Sequence, residues 1–341
     1  MSRVTRNACE QVRWTCESGE RREPKRAAAG GLWKAAALIL LCSPAQAQPT
    51  ADWAQIEAVE VSARPGPAVW HLTRGNSEVW ILGTVGAMPK ALDWNKAYLA
   101  DLLDGARAIL MPPKANIGLV DIGWFLIMHG GELSLPHGQM LETSLPEALR
   151  GRFITARDAV SGDASDYRTD TPIRAAIRLQ QDFMKKTSFS YREPRDTIED
   201  MAFRQHIRNS PVTRFEAMDA IREVLKLTPE QQQTCLAQAA EDVNWGLAHA
   251  GAASRAWAVG DVRGVKANYV QSRLLDCVTG AVRSASDIDA RTIADSVTAI
   301  DAALNQPGKT IAVIGMGPLL RRGGVLERLQ ALHVTIESPA E

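Results

Sequence analysis

Two short stretches near opposite ends of the chain limit its fold more than anything else in it. Val79-Trp80-Ile81-Leu82 is an apolar run that breaks at Gly83-Thr84-Val85-Gly86-Ala87-Met88-Pro89, and Thr310-Ile311-Ala312-Val313-Ile314 breaks in the same way at Gly315-Met316-Gly317-Pro318. A short apolar run closed by turn glycines reads as a buried strand. In an open α/β sheet the carboxyl ends of such strands hold the ligand crevice. Two strand-to-glycine elements therefore point to one shared crevice. Neither turn carries a side chain suited to acid, base, nucleophile or metal-ligand work.

The 341 residues, 45% of them hydrophobic and 23% charged, can bury a full core. Residues 1–47 read as an export signal with a long leader: Arg21, Arg22, Lys25, Arg26 and Lys34 precede the apolar stretch Ala35–Leu41, and Ala45-Gln46-Ala47 supplies small residues for cleavage. That stretch is far shorter than the ~20 residues of a membrane span. The leader holds 8 basic and 4 acidic residues, which leaves 31 and 35, a net charge of −4, for the remainder. A mildly acidic chain gives no support for nucleic-acid binding. Cys9, Cys16 and Cys42 would leave with the leader, so Cys235 and Cys277 have one available pairing in an oxidising compartment. A bridge and two buried thiols both fit the sequence.

Residues 48–66 contain Pro49 and Pro65, lack periodicity and read as a linker. A single domain follows over 67–341. Val69–Thr73 and Val79–Leu82 flank the turn residues Arg74-Gly75-Asn76-Ser77, which predicts a hairpin. Tyr98, Leu99, Leu102 and Leu103 repeat at helical spacing, with Asp93 or Asn95 to cap and Gly105 to stop, and Ala108–Met111 is a strand ended by Pro112-Pro113. Strand, helix, strand is the parallel crossover unit. Helical patterns dominate 115–209 and 217–305, with Pro146, Pro172 and Pro229 as opening residues. Val212–Glu216 is a third strand candidate. Thr310–Ile314 is the last central strand, Val325–Leu332 a closing helix and Val334–Ile336 an edge strand. The predicted architecture is α/β: a mixed, largely parallel sheet with helices on both faces and two helical insertions.

Familiar catalytic patterns fail on inspection. Gly315-Met316-Gly317 lacks the third glycine, since residue 320 is Leu320, and too little chain follows for a mononucleotide unit. His129 and His137 flank Gly130-Gly131 without metal-ligand spacing and read as loop residues. No nucleophile elbow and no phosphate loop occurs. Glu216, at the end of a predicted strand, is the one acid that stands out: facing the crevice with Arg291 as its charged partner and being an ordinary edge carboxylate beside a solvated arginine both fit the sequence.

Taken together, these pieces resemble the TraB/GumN family, which is related to the Tiki proteases and the erythromycin-esterase-like group. Pro67-Ala68-Val69-Trp70 leads into the hairpin, and Leu82-Gly83-Thr84-Val85 falls on a first G-x-x-H motif. Leu135-Pro136-His137-Gly138-Gln139 resembles the family's middle segment, and Pro211–Glu216 its strand ending in Leu-Glu. Val313-Ile314-Gly315-Met316-Gly317 falls on the second G-x-x-H. The departures lie where the chemistry would be. Gly86 stands for the first motif's histidine, Pro318 for the second's, and Pro112 for a strand-ending glutamate. Ile198 stands for an aspartate, and Thr292 for the asparagine that follows Arg291. Glu216 is kept.

The resemblance implies metal-dependent hydrolysis in relatives. A divalent ion needs lone-pair ligands around an open position, and glycine and proline side chains have none. The expectation is an exported, non-catalytic member with no cofactor. It would keep degenerate crevice positions Gly83, Gly86, Pro112, Glu216, Arg291, Gly315, Gly317 and Pro318 and bind a peptide, a small molecule or an envelope protein. The alternatives are a hydrolase with a relocated site, for example Glu216 with His129 or His137, and an envelope structural or assembly protein.

Overall fold

The computed structural model describes residues 53–54, 59–61, 66–116, 130–161, 163–270 and 272–339. The leader with Cys9, Cys16 and Cys42 lies outside them, as does His129.

Alternating apolar residues and a tight turn form the hairpin first. Strand β2 (Val69–Arg74) pairs antiparallel with β3 (Ser77–Thr84), with Arg74 opposite Ser77. Strand β5 (Ala106–Met111) follows α1 (Lys96–Leu103), whose first turn is capped by Asn95: its Oδ1 accepts from the Tyr98 N–H at 2.9 Å. Strands β1 (Val59–Val61), β8 (Arg208–Pro211), β10 (Gly308–Gly315) and β11 (Thr335–Pro339) complete a seven-stranded sheet. Its order is β1-β11-β2-β3-β10-β5-β8. Only the β11–β2 and β2–β3 pairs are antiparallel, so the sheet is mixed and mostly parallel. The crossover from β3 through α1 to β5 leaves a gap that β10 fills. Thr310 to Ile314 are all buried, so the middle of the sheet is covered on both faces.

Two short pairs lie outside this sheet: β4 (Met88–Pro89) with β7 (Phe189–Ser190), and β6 (Lys114–Asn116) with β9 (Arg214–Glu216). The remaining helices are α2 (Leu141–Ser144), α3 (Glu147–Val160), α4 (Pro172–Thr187), α5 (Arg195–Arg204), α6 (Met218–Val224), α7 (Pro229–Ala258), α8 (Val262–Asn268), α9 (Arg273–Ala281), α10 (Arg283–Leu304), α11 (Met316–Leu320) and α12 (Val325–Ala331). Helix α7 opens with a capping box, in which Thr228 and Gln231 each bond the other's backbone N–H. Its 30 residues span about 45 Å.

Apolar burial falls into two clusters. One surrounds the sheet and takes in α1, α10 and α12; the other lies among α2, α3, α4, α7 and α9. Helix α7 belongs to both. Leu236, Ala239 and Val243 lie in the helical cluster, and Trp257 and Ala258 in the sheet cluster. Cys235 and Cys277 stand at disulfide distance and join α7 to α9.

Three expectations need correction. Val212–Glu216 is not a strand of the main sheet. The sheet's edge is β8, Arg208-Asn209-Ser210-Pro211, and Arg214–Glu216 pairs only with β6. An exposed polar edge strand carries no hydrophobic period to betray it. The strand predicted at Val334–Ile336 is not an edge, because β1 adds outside it. Residues 59–61, read as linker, are that added strand.

Candidate ligand cavity

The parallel register of β3 and β10 brings the two glycine turns together. Gly83 lies opposite Ile314 and Thr84 opposite Gly315, so both chains leave the sheet side by side. Three contacts fix the place. The Thr84 hydroxyl donates to the Ile314 carbonyl at 3.3 Å. Trp257, at the sheet end of α7, donates its indole N–H to the Gly83 carbonyl at 2.6 Å. A Cβ on Gly83 would come within 2.7 Å of both the Met316 sulfur and the Trp70 ring. Close approach of three elements thus explains the first glycine.

Beyond the turns lies a cavity of about 620 Å³. Val85, Gly86 and Ala87 from the first turn and Gly317, Pro318, Arg321 and Arg322 from the second form one side. Helix α4 contributes Gln180 and Phe183, α7 contributes Asp242, Ala250, Ala253 and Ser254, and Phe189 and Tyr191 follow α4. The remaining wall comprises Trp53, Tyr269, Val270, Ser272, Leu275, Asp276 and Asp289. The lining is apolar and aromatic with a few polar groups, and the volume is that of a small-molecule site.

Four polar features shape it. Asp242 is 4% exposed. Its carboxylate accepts the backbone N–H groups of Arg273 and Leu274, each at 3.0 Å, at the start of α9. Burial outweighs these donors and pushes its pKa up to about 6. Tyr269 packs edge-on against Trp53, with ring centroids 5.3 Å apart. Its hydroxyl lies against Gly317, where a Cβ would come within 2.5 Å of the oxygen. Burial raises the pKa of this phenol, and the Gly317 N–H donating to it opposes the rise. Arg321 donates to Asp289 at 2.6 Å, and Ser254 donates back to the Ala250 carbonyl.

Of the positions singled out in the sequence, Gly86, Gly317 and Pro318 line the cavity. Gly83 and Gly315 sit just beneath, in the last turns of β3 and β10. Pro112 ends β5, half-buried and outside the lining, and Arg291 is exposed on α10, also outside it. Glu216 does not face the cavity: it is exposed on β9, and its Oε1 accepts from the Asn116 amide at 3.0 Å. The expectation that Glu216 meets the crevice followed from assigning its strand to the main sheet, where it does not lie. His137 is exposed and outside the lining.

Asp242 and Tyr269 were not singled out. A signal for Asp242 exists: it replaces an apolar residue in the stripe Cys235, Ala239, Asp242, Gly246 along α7, where a carboxylate is out of place. Nothing comparable marks Tyr269, whose role depends on where α8 delivers the chain.

The divalent metal that the resemblance implies does not fit the residues present. Where the turns converge, Gly86, Gly317 and Pro318 present no lone-pair side chain. Among the described residues no three His, Cys, Asp or Glu side chains are grouped to hold an ion.

A glycine-turned pair of adjacent parallel strands, facing a cavity roofed by helical insertions, is the class of site this fold defines. A model of the TraB/PrgY/gumN family matches residues 68–338, and the chain belongs to that family. No curated protein and no solved structure matches it. No helix among the described residues is long and apolar enough to cross a membrane.

Proposed function

We propose that this family member is an exported, non-catalytic protein that binds a ligand in the cavity beyond β3 and β10. One observation carries the reading. Gly86 and Pro318, the positions that the resemblance sets on the histidines of the G-x-x-H motifs, both line the cavity, so a binding volume stands where those side chains supply no ligand atoms. A volume of about 620 Å³ supports a ligand-binding role over a purely structural one. Export is supported by the leader read from residues 1–47 and by the pairing of Cys235 with Cys277.

The test is metal analysis of the purified protein together with peptide hydrolysis in the presence and absence of a chelator. Substoichiometric metal and no chelator-sensitive cleavage are expected. A stoichiometric, tightly held divalent ion with chelator-sensitive cleavage would refute the reading. Cell fractionation and determination of the mature amino terminus test export, with Gln48 expected as the first residue.

A further inference from the structure

The α4–α7–α9 side of the cavity holds a carboxylate, Asp242, that no cation among the described residues contacts. Asp242 is almost fully buried, yet its partners are neutral amides: the N–H groups of Arg273 and Leu274, and the Gln180 side-chain amide at 3.4 Å. The Arg273 guanidinium is directed to Glu241 instead. The Arg273 charge, without touching Asp242, still lowers its pKa, and Asp276, one turn into α9, opposes that with a smaller effect. Burying a carboxylate without a contacting opposite charge is costly, and amide donors with a distant guanidinium offset only part of that cost.

Aromatic rings stand beside this carboxylate. Gln180 and Phe183 lie on one face of α4. The Phe183 ring packs on Gly246, one turn along α7 from Asp242, so closely that a Cβ there would fall 2.8 Å from its edge. Phe189 meets Phe183 edge-on at 5.9 Å between centroids. Tyr191 continues the same wall. Aromatic rings that share a cavity wall with a carboxylate are suited to a positive charge on an apolar body. Arg321, also in the lining, is held by Asp289.

We propose that this side of the cavity binds an organic cation, a primary or quaternary ammonium on an apolar or aromatic body. Asp242 is the counter-ion, and Phe183, Phe189 and Tyr191 surround the charge. The assignment rests on the cavity being the ligand site and adds to it the chemical class of the ligand.

Isothermal titration of the whole protein with four probes tests it: phenethylammonium, benzyltrimethylammonium, the neutral phenethyl alcohol and the anionic phenylacetate. Both cations should bind on the order of tenfold tighter than the alcohol, the worth of one charge-assisted contact. Asp242→Asn should abolish that preference. Tyr191, 66% exposed, can be truncated without disturbing the core. Tyr191→Ala should therefore weaken both cations severalfold in a folded protein and leave the alcohol unchanged. Equal binding of alcohol and cations, tighter binding of phenylacetate, or no binding of any probe overturns the cation assignment. Chelator-sensitive hydrolysis would instead sink the non-catalytic reading and leave the cation preference standing.

Discussion

Replacing Cys235 and Cys277 together by alanine should destabilise the protein by about 4 kcal/mol, because the bridge restrains a loop of 42 residues in the unfolded chain. The magnitude comes from loop closure. A cross-link removes entropy from the unfolded ensemble that grows only with the logarithm of loop length. Alanine keeps both Cβ atoms, so the native helices lose only two sulfurs. Cys235 is fully buried, and the small void left there adds to the loss. The restrained segment contains Asp242, Tyr269, Ser272 and Asp276, so the link also fixes one wall of the cavity. Urea denaturation read by far-ultraviolet circular dichroism measures the difference, with the slope checked between variant and parent. A loss below about 1 kcal/mol would refute the entropic argument. So would two reactive thiols in the unfolded, unreduced protein.

Three further outcomes are expected. With a folded pKa of about 6 against 3.8 unfolded, Asp242 binds more protons in the native state between those values. Its contribution is therefore full below that window and is lost as pH rises through it, by up to ~3 kcal/mol. Denaturation at pH 4 and 7 should show this fall in the parent and a flatter profile in Asp242→Asn. Trp257→Phe removes the donor to the buried Gly83 carbonyl and should cost about 2–3 kcal/mol by denaturation; a neutral result would mean that the carbonyl finds another partner. Gly83→Ala must displace Met316 and Trp70 and should cost about 1–3 kcal/mol, whereas nothing lies within 4 Å of a Cβ on Gly86. Gly86→Ala should therefore leave the thermal midpoint near that of the parent, and equal losses at both glycines would contradict the packing argument.

Local chemistry made some elements readable and left others hidden. The hairpin, α1 with its Asn95 cap, and the two glycine turns each carry their own signal within a few residues. Proline at the start of α4 and α7 and the Pro307-Gly308 stop after α10 do the same. Strand β8 could not be read, because Asn209 and Ser210 join the sheet through backbone pairing with β5 and not through apolar side chains. Strand β1, Val59–Val61, is too short to show a period of its own. The convergence of the two turns was legible, since adjacent strand ends follow from the fold class. The helical wall was not: which side chains of α4, α7 and α9 meet depends on how the insertions pack. The charge of Asp242 is buried only once they do.

The place of β10 governs when this protein can fold. It arrives at Gly308–Gly315, near the end of the chain, yet it is the partner that both β3 and β5 require. Until it is available, two apolar strands laid down much earlier have an unfilled seam between them, and the crevice has only one of its lips. Assembly is thus dominated by pairings of large sequence separation, which are slow to form and leave sticky edges exposed meanwhile. A chain cut short before residue 308 should accumulate as an aggregate, while one crossing a membrane unfolded would be held open by its own topology until the tail had followed.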